Sequence, residues 1–234
     1  MLILKNFLIS RSVIYPMTVS KFHQISLEGR RGVLIDLDDT LYAYDPAHEQ
    51  ALRRVHSDCL SEIPFADFST LYRAARNRVM QELSPQGVCR SRLLAFLHVF
   101  EDLGAPYAYV RAHDADEIYW NTFIEAMCCS PSARSFLDRC VEAQVPVCVV
   151  SDMTTHIQIR KLEKLGVAGQ IAHLVTSESV GVEKPDPRMF LEGMRKLAMS
   201  EPRDVIMIGD SRTKDIEGAE RLGIAAYLIS LAES

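Results

Sequence analysis

Four short apolar segments of this chain are each followed by polar residues, and this repeated pattern constrains the fold more than any other feature. Each segment is rich in branched residues, and its polar residues lie at or just beyond its carboxyl end: residues 32–40, which read Gly-Val-Leu-Ile-Asp-Leu-Asp-Asp-Thr; 145–150, followed by Ser151 and Asp152; 173–176, which lead to the loop Glu183-Lys184-Pro185; and 205–208, followed by Gly209 and Asp210. Segments of this kind are typical of buried strands in a parallel sheet.

Helical stretches alternate with these strands. We predict helices over residues 155–165, 187–199 and 213–222, and one more strand over 224–230. This alternation predicts an α/β fold with a doubly wound parallel sheet. Ligands of such sheets bind beyond the carboxyl ends of the strands, so we expect the polar clusters to meet there.

Residues 45–127 have a different pattern, with apolar residues at helical spacing and prolines in the breaks. We predict an insertion of four helices that forms a small second domain over the crevice. The core then consists of residues 26–44 and 128–234. Residues 1–25 lack clear periodicity, so they are predicted to be a poorly ordered N-terminal extension, in which Met17 offers a second translation start.

The first strand ends in two carboxylates at alternate positions, Asp36 and Asp38. Alternate side chains of an extended segment share a face, so both can approach one site unless the following turn aims them differently. A carboxylate can attack phosphorus to form an aspartyl-phosphate, and a second carboxylate can protonate the leaving oxygen and then activate water. We assign these roles to Asp36 and Asp38. Taken alone, the motif also fits a solvated acidic turn.

A second group of carboxylates follows the strand at 205–208. Asp210 comes directly after it, and Asp215 lies five residues further on. Mg²⁺ prefers carboxylate oxygens, phosphate and water, which makes Asp36 and Asp210 candidate ligands and Asp215 a further ligand or a support behind them. Crowded carboxylates repel by about 4 kcal/mol per pair at 4 Å and an effective dielectric near 20, so a cation is needed. Gly-Asp-Ser alone also fits a helix N-cap.

Three further residues are candidates for holding a phosphate group. Lys184, followed by Pro185 in a short loop, would screen both the nucleophile and the phosphate, although surface exposure is the usual fate of a lysine. The hydroxyl of Ser151 can donate to a phosphate oxygen, and the amides of Asp152 and Met153 can approach the same oxygens near a helix start. Helix capping is the competing interpretation of this pair.

Together, and in this order, the motifs resemble those of the haloacid dehalogenase superfamily over residues 32–229. The matching residues are, motif by motif, Asp36-Leu37-Asp38-Asp39-Thr40, then Ser151, then Lys184-Pro185, then Gly209-Asp210 with Asp215. The resemblance implies a Rossmann-like core with a mobile helical cap inserted after the first motif, and phosphate monoester hydrolysis through an aspartyl-phosphate. It also implies that the backbone carbonyl of Asp38 joins Asp36 and Asp210 on the metal, and that residues 41–45 form the hinge and flap of the cap.

The chain departs from the pattern of many capped relatives at one place. They carry Asn-Gly after the second-motif Ser or Thr, where this chain has Asp152-Met153. An additional acid beside a phosphate is unfavourable, so we expect the Asp152 carboxylate to be turned away or to contact the leaving group.

Three other functions have to be weighed against a phosphatase. A dehalogenase of this superfamily works without Mg²⁺ and lacks the second carboxylate of the first motif, so Asp38 argues against it. A phosphomutase or phosphotransferase would retain the same motifs and stays open. A phospho-ligand binding module without turnover has no use for an acid/base at Asp38.

Composition narrows the partners and the compartment. The formal net charge of −5 gives no electrostatic footprint for nucleic acid. The six cysteines form no CxxC pair, which indicates free thiols in a reducing cytoplasm. Lys5 and Arg11 interrupt the apolar N-terminus, so neither a secretory signal nor a membrane span is supported. We therefore expect a cytoplasmic enzyme acting on a small phosphorylated metabolite, with its oligomeric state open.

Two groups of residues in and before the insertion have alternative interpretations. Arg73, Arg76 and Arg78 fit a solvated helix face, and the alternative is that one of them meets an anionic substrate. Tyr42 and Tyr44 fit packing positions at the hinge, and the alternative is that they line the site.

Overall fold

The structure is a computed structural model and describes residues 19–231. Five strands form one parallel sheet: β1 (Gly32–Ile35), β2 (Val147–Ser151), β3 (His173–Thr176), β4 (Val205–Gly209) and β5 (Ala225–Leu228). Their spatial order is β3-β2-β1-β4-β5, so the winding direction reverses beside β1. The predicted class, a doubly wound Rossmann-like parallel sheet, is confirmed.

The helices alternate with the strands after β2, and five α-helices precede it in the described part of the chain. In chain order they are α1 (Tyr44–Cys59), α2 (Phe65–Leu83), α3 (Arg92–Asp102), α4 (Ala108–Ala126), α5 (Pro131–Glu142), α6 (Thr155–Lys164), α7 (Ser177–Val180), α8 (Pro187–Lys196) and α9 (Glu217–Glu220).

Both faces of the sheet are covered by helices. Successive side chains of a strand point to opposite faces, so Val33 and Ile35 contribute to one apolar cluster and Leu34 to the other. The first cluster includes residues of α5 and α6, and the second includes residues of α8 and α9. Burial on both faces explains why the central strands β1, β2 and β4 are fully buried.

Helices α1 to α4 lie between β1 and α5, within the segment predicted as the insertion. α4 packs along α1 and α3, and α3 also packs against α2, whereas α1 and α2 meet at only a few residues. Their interior is rich in aromatic side chains, including Phe68, Phe96 and Tyr119, which are fully buried. The division into a core and a separate cap domain stays a prediction.

The N-terminal boundary of the core lies earlier than predicted. Residues 1–18 lie outside the described part, but Phe22 and Ile25 are 3% and 1% exposed and belong to the main apolar cluster. Arg139 of α5 donates hydrogen bonds to the backbone carbonyls of both residues. Ser20 also pairs with Ile229 in a β-bridge. The prediction of a poorly ordered extension up to residue 25 is therefore wrong for residues 20–25, because a single apolar turn is too short to show periodicity.

The helix predicted at 213–222 also differs in the structure. A π-helical turn, Arg212–Ile216, precedes the short helix α9. Such turns are rare and occur frequently at functional sites. Within residues 19–231, no helix is long and apolar enough to cross a membrane.

Candidate active site

The polar residues at the carboxyl ends of β1, β2 and β4 line one cavity of about 280 Å³, here called the catalytic cavity. All of the side chains predicted for the site are among its lining residues: Asp36, Asp38, Ser151, Asp152, Lys184, Asp210 and Asp215. Arg90, which lies between α2 and α3, and Lys214, in the π-helical turn, line it as well. The convergence expected from the parallel topology is therefore present.

Three carboxylates are grouped in this cavity. One oxygen each of Asp36, Asp210 and Asp215 lies within 4.8 Å of the other two. Asp36 directly follows β1 and Asp210 directly follows β4, while the π-helical turn carries Asp215 back to the end of β4. Gly209 makes this approach possible, because a Cβ atom there would lie 2.4 Å from the carboxyl group of Asp215.

Lys184 neutralises part of this cluster. Its side chain is 3% exposed, and its Nζ donates to Asp36 Oδ1 at 2.5 Å and to Asp215 Oδ1 at 2.6 Å. Burial alone would lower the pKa of Lys184, but the two carboxylates outweigh it and raise the pKa above its usual value. The lysine is therefore a fixed cation beside Asp36.

The cluster retains an excess of negative charge. Burial raises the pKa of Asp36 well above its usual value, and Lys184 opposes this only in part. Partial removal from water and the carboxylate of Asp215 raise the pKa of Asp210 to about 6. Three carboxylates against one ammonium leave two negative charges, which a divalent cation would balance. The donor set, made only of carboxylate oxygens, suits Mg²⁺.

Asp38 points away from the carboxylate cluster, although it lines the same cavity. Its Oδ1 accepts hydrogen bonds from Lys161 Nζ, at 2.7 Å, and from the hydroxyl of Tyr42. Asp39, the next residue, adopts a left-handed φ of 58° in the turn that follows β1. Burial would raise the pKa of Asp38, but Lys161 and Tyr42 lower it by more, so that the net shift is downward.

Lys161, on α6, is a residue that the sequence analysis missed. Its side chain is fully buried, and its Nζ lies 5.3 to 5.7 Å from the ring centroids of Tyr42, Trp120 and Phe123. Trp120 and Phe123 belong to α4, so this lysine joins the core to the insertion. Helical spacing was the available signal, because Lys161 and Leu165 lie on one face of the helix, four residues apart.

Ser151 and Asp152 form different hydrogen bonds in the structure. Ser151 Oγ accepts a hydrogen bond from Gln158 Nε2 at 2.5 Å, which leaves its own hydroxyl proton free to donate. The Asp152 carboxylate accepts from the backbone amide of Lys184 and from Lys214 Nζ, both at 2.8 Å. Asp152 therefore connects the loop that carries Lys184 to the π-helical turn that carries Lys214. Both carboxylate oxygens thus have a protein donor, and the position of Asp152 relative to a phosphate stays a prediction.

Contacts between the insertion and the core also border the cavity. Arg90 donates two hydrogen bonds to the carboxylate of Glu183, at 2.5 and 2.7 Å. Glu183 directly precedes Lys184, so the insertion contacts the loop that carries the buried lysine. Neither Arg90 nor Glu183 was assigned a role from the sequence.

A doubly wound sheet with a carboxylate cluster and a buried lysine at its carboxyl edge is the arrangement of an α/β enzyme whose active site is built from aspartates and a lysine. A family model described as haloacid dehalogenase-like hydrolase matches residues 31–223, and the chain belongs to this family. The prediction of a hydrolase of this superfamily is confirmed.

Relatives and solved structures agree with this assignment. The chain is 32% identical to a ribulose-1,5-bisphosphate 5-phosphatase of Halopiger xanaduensis, over 86% of this chain and 85% of the relative. It is 29% identical to a glyceraldehyde 3-phosphate phosphatase of Methanopyrus kandleri, over 85% and 83%. A HAD hydrolase from Bacillus subtilis bound to magnesium has a similar fold, with a TM-score of 0.68 at 21% identity, over 87% of this chain and 96% of that one.

Proposed function

We propose that the protein is a Mg²⁺-dependent phosphatase that hydrolyses a small phosphate monoester through an aspartyl-phosphate on Asp36. The proposal depends on one observation above all. The buried Lys184 ammonium lies between Asp36 and Asp215, with Asp210 close enough to share an ion with both carboxylates. A nucleophile, a cation and a set of metal ligands are thus present in one cavity. The two relatives are named as phosphatases, and this chain covers most of the length of each, which supports the same function.

The residues present fit a magnesium ion. Asp36, Asp210 and the backbone carbonyl of Asp38 would hold it, and Asp215 would act as a further ligand or hold Lys184 in place. When bound, the ion supplies positive charge to the phosphoryl oxygens and to the carboxylate cluster.

The remaining groups would bind and orient the phosphate. Lys184, Ser151 and Asp152 all line the cavity. The ammonium of Lys184, the hydroxyl of Ser151 and the backbone amide of Asp152 are donors of the kind that binds a phosphoryl oxygen. Lys184 also favours the ionised form of Asp36, which a nucleophile requires, and so opposes part of the effect of burial.

The reaction has two steps. In the first, a carboxylate oxygen of Asp36 attacks phosphorus, the bond from phosphorus to the ester oxygen breaks, and Asp38 gives its proton to that oxygen. In the second, water attacks the phosphorus of the aspartyl-phosphate and gives a proton to Asp38, which releases inorganic phosphate and regenerates Asp36.

Asp38 has to carry a proton in the first step, although Lys161 and Tyr42 favour its ionised form. Both partners bind Oδ1, and Oδ2 accepts no hydrogen bond from the described residues. Oδ2 is therefore the atom we assign to proton transfer. The negative charge of a bound phosphate raises the pKa of a nearby carboxylate, so substrate binding itself favours protonation of Asp38.

The alternatives are separated by what happens to the phosphoryl group. A phosphomutase or phosphotransferase would pass it to a second hydroxyl, whereas a phosphatase releases inorganic phosphate. A binding module would do neither, and the presence of Asp38 beside the nucleophile disfavours it.

Hydrolysis of p-nitrophenyl phosphate tests the proposal. We expect activity with Mg²⁺, no activity with EDTA, and a loss of about 10⁴-fold or more in Asp36→Asn, the usual scale for removal of a nucleophile. Asp114→Asn, at an exposed aspartate of α4, serves as the matched control and should keep the wild-type rate. Wild-type turnover in Asp36→Asn would contradict the proposed nucleophile.

The substrate class and the compartment are proposed on separate grounds. A cavity of about 280 Å³ with several phosphate-binding donors suits a small phosphorylated metabolite. Cys59, Cys89, Cys128, Cys129, Cys140 and Cys148 are all free thiols, which suits the reducing cytoplasm.

A further inference from the structure

A second cavity, of about 270 Å³, lies in the insertion between α1, α2 and the start of α3. Three arginines line it, Arg73 and Arg76 from α2 and Arg92 from α3, together with His48 and Tyr72. We call it the arginine cavity. It contains no carboxylate, and none of its arginines forms an ion pair with any carboxylate of the described residues.

Two buried polar atoms of this cavity lack a partner. The hydroxyl of Tyr72 and Nε of Arg92 form no hydrogen bond with any residue from 19 to 231, although the two residues are only 4% and 7% exposed. A buried polar group without a partner costs about 1 to 3 kcal/mol, and more when it is charged. Both groups belong to side chains that line the same cavity, so one ligand with hydrogen-bond acceptors could satisfy them together.

The field inside the cavity is positive. The guanidinium of Arg76 donates only to the backbone carbonyls of Cys89 and Ser91, which carry no charge to balance it. Burial and the neighbouring Arg92 lower the pKa of Arg76 to about 10. Burial and the same arginines lower the pKa of His48 to about 4, so this histidine is neutral at pH 7. An anion is the ligand class that such a cavity binds.

The arginine cavity adjoins the catalytic cavity. Arg92 donates a hydrogen bond, at 3.1 Å, to the backbone carbonyl of Arg90, which lines the catalytic cavity. Arg90 and Arg92 are two residues apart, a span of at most about 7 Å, so one short segment contributes to the lining of both cavities. Tyr44 provides a second link, because it accepts a hydrogen bond from Arg92 and its amide donates to Asp39 of the catalytic cavity.

We propose that the arginine cavity binds a second anionic group of the substrate, so that the enzyme acts on phosphate monoesters that carry another phosphate or a carboxylate. The inference rests on the proposed phosphatase function and adds the class of substrate. One anionic group is cleaved beside Asp36, and the other is held by Arg73, Arg92 and the hydroxyl of Tyr72.

Two matched pairs of substrates test this inference. Ribulose 1,5-bisphosphate is compared with ribulose 5-phosphate, and 3-phosphoglycerate with glyceraldehyde 3-phosphate, so that each pair differs in one anionic group. We expect a higher kcat/KM for the doubly anionic member of at least one pair. A preference in the ribulose pair indicates that the second group is a phosphate, and a preference in the three-carbon pair indicates that it is a carboxylate.

The variants Arg73→Met and Tyr72→Phe connect the preference to the cavity. Arg73 is exposed and has no hydrogen-bond or ion-pair partner in the described part of the chain, and Tyr72→Phe removes only the unpaired hydroxyl. Each should reduce the ratio of kcat/KM within the pair by about tenfold, mainly through KM of the doubly anionic substrate. Arg78→Met is the matched control: Arg78 lies on the same helix outside the cavity, pairs with Asp102, and should leave the ratio unchanged.

A binding measurement separates this inference from the proposed reaction. Calorimetry on the Asp36→Asn variant measures the affinity for both members of the preferred pair without turnover, and Arg73→Met in that background should abolish the difference. If neither p-nitrophenyl phosphate nor any member of the two pairs is hydrolysed but this difference in affinity exists, the reaction is refuted and the anion site stands. If no pair shows a preference, or if Arg73→Met and Tyr72→Phe leave it intact, the anion site is refuted. Equal binding of free inorganic phosphate to the wild type and to Arg73→Met would count against it as well.

Discussion

The catalytic cavity, which Arg90 lines, and the arginine cavity, which Arg92 lines, have their charges arranged in opposite ways. In the catalytic cavity the buried charges are paired within the protein, and the excess is negative. In the arginine cavity the excess is positive, and buried hydrogen-bonding groups are left without partners. The first cavity is built by the sheet, and the second by helices of the insertion.

This difference separates two tasks. Pairing Lys184 with Asp36 and Asp215 fixes the reacting groups before any substrate arrives, which is the arrangement that electrostatic catalysis requires. Unpaired groups such as the Tyr72 hydroxyl and Arg92 Nε would gain partners only from a ligand, so they would increase the affinity for a substrate that supplies hydrogen-bond acceptors. The sheet edge would thus determine the reaction, and the insertion would determine what is cleaved.

Lys184→Met should have the largest effect. Without the ammonium, Asp36 and Asp215 become unpaired buried carboxylates, so the nucleophile is protonated more easily and the phosphate loses a donor. We expect kcat/KM to fall by about 10³-fold. The free energy of unfolding without Mg²⁺ should fall by about 3 kcal/mol, the usual cost of removing one partner from a buried ion pair. Aryl-phosphate kinetics and urea unfolding measure the two effects.

Lys214→Met is the matched control for this variant. Lys214 lines the same cavity and pairs with Asp152, but its side chain is 35% exposed. Solvent screens this ion pair, so the free energy of unfolding should change by less than about 1 kcal/mol. Equal losses in the two variants would show that burial of the charge does not distinguish them.

Lys161→Met tests the junction between the two regions and should have the next largest effect. Lys161 is fully buried, and Asp38, which is 28% exposed, would keep Tyr42 as its remaining partner. We expect the free energy of unfolding to fall by about 2 kcal/mol, less than for a fully buried pair. Lys164→Met, at an exposed lysine on the same helix, should change it by less than about 0.5 kcal/mol.

A double variant isolates the charge pair from packing. If the unpaired carboxylate causes the loss, Asp38→Asn in the Lys161→Met background should recover most of the stability. If Lys161→Met alone is as stable as the wild type, the surrounding aromatic rings accommodate the methionine side chain as well as they accommodate the ammonium.

The affinity for Mg²⁺ should depend on pH through Asp210. The pKa of this carboxyl group is raised to about 6, so it is mostly ionised at pH 7 and mostly protonated at pH 5. Protons compete with the ion for the same oxygens, and the Kd measured by calorimetry should rise about tenfold between pH 7 and pH 5. Sulfate binding to the arginine cavity should change little over this interval, because arginine stays charged. Equal Mg²⁺ affinities at pH 5 and 7 would exclude Asp210 as a ligand.

Local patterns were sufficient to predict the strand-end cluster. Once apolar segments are recognised as parallel strands, their carboxyl ends must share an edge, and β1 pairs directly with β4, which brings Asp36 and Asp210 together. The direction of the Asp38 side chain was not predictable in this way. It depends on Lys161, which lies 123 residues away in the chain.

The arginine cavity shows a different limit of sequence analysis. The predicted solvated face is correct for Arg73, which is exposed, and Arg78 pairs with Asp102 at the surface, but Arg76 is half-buried. Arg73 and Arg76 also line the cavity. Helical spacing groups residues on faces of α2, yet it does not tell which face meets α1. That choice is made by tertiary packing of the aromatic interior, which propensities do not encode.

The smallest expected effect comes from replacing one tyrosine by phenylalanine at each cavity, Tyr42 beside the catalytic cavity and Tyr72 in the arginine cavity. The hydroxyl of Tyr42 donates to the Asp38 carboxylate, whereas the buried hydroxyl of Tyr72 has no partner. Tyr42→Phe should lower the free energy of unfolding by about 1.5 kcal/mol, because it removes a hydrogen bond to a charged group. Tyr72→Phe, in a buffer without polyvalent anions, should change it by less than about 0.5 kcal/mol or raise it, since the lost hydroxyl was unsatisfied. Adding ribulose 1,5-bisphosphate should then stabilise the wild type more than Tyr72→Phe. Urea unfolding of both variants measures this contrast, and equal losses in the absence of ligand would show that the Tyr72 hydroxyl is already satisfied in the free protein.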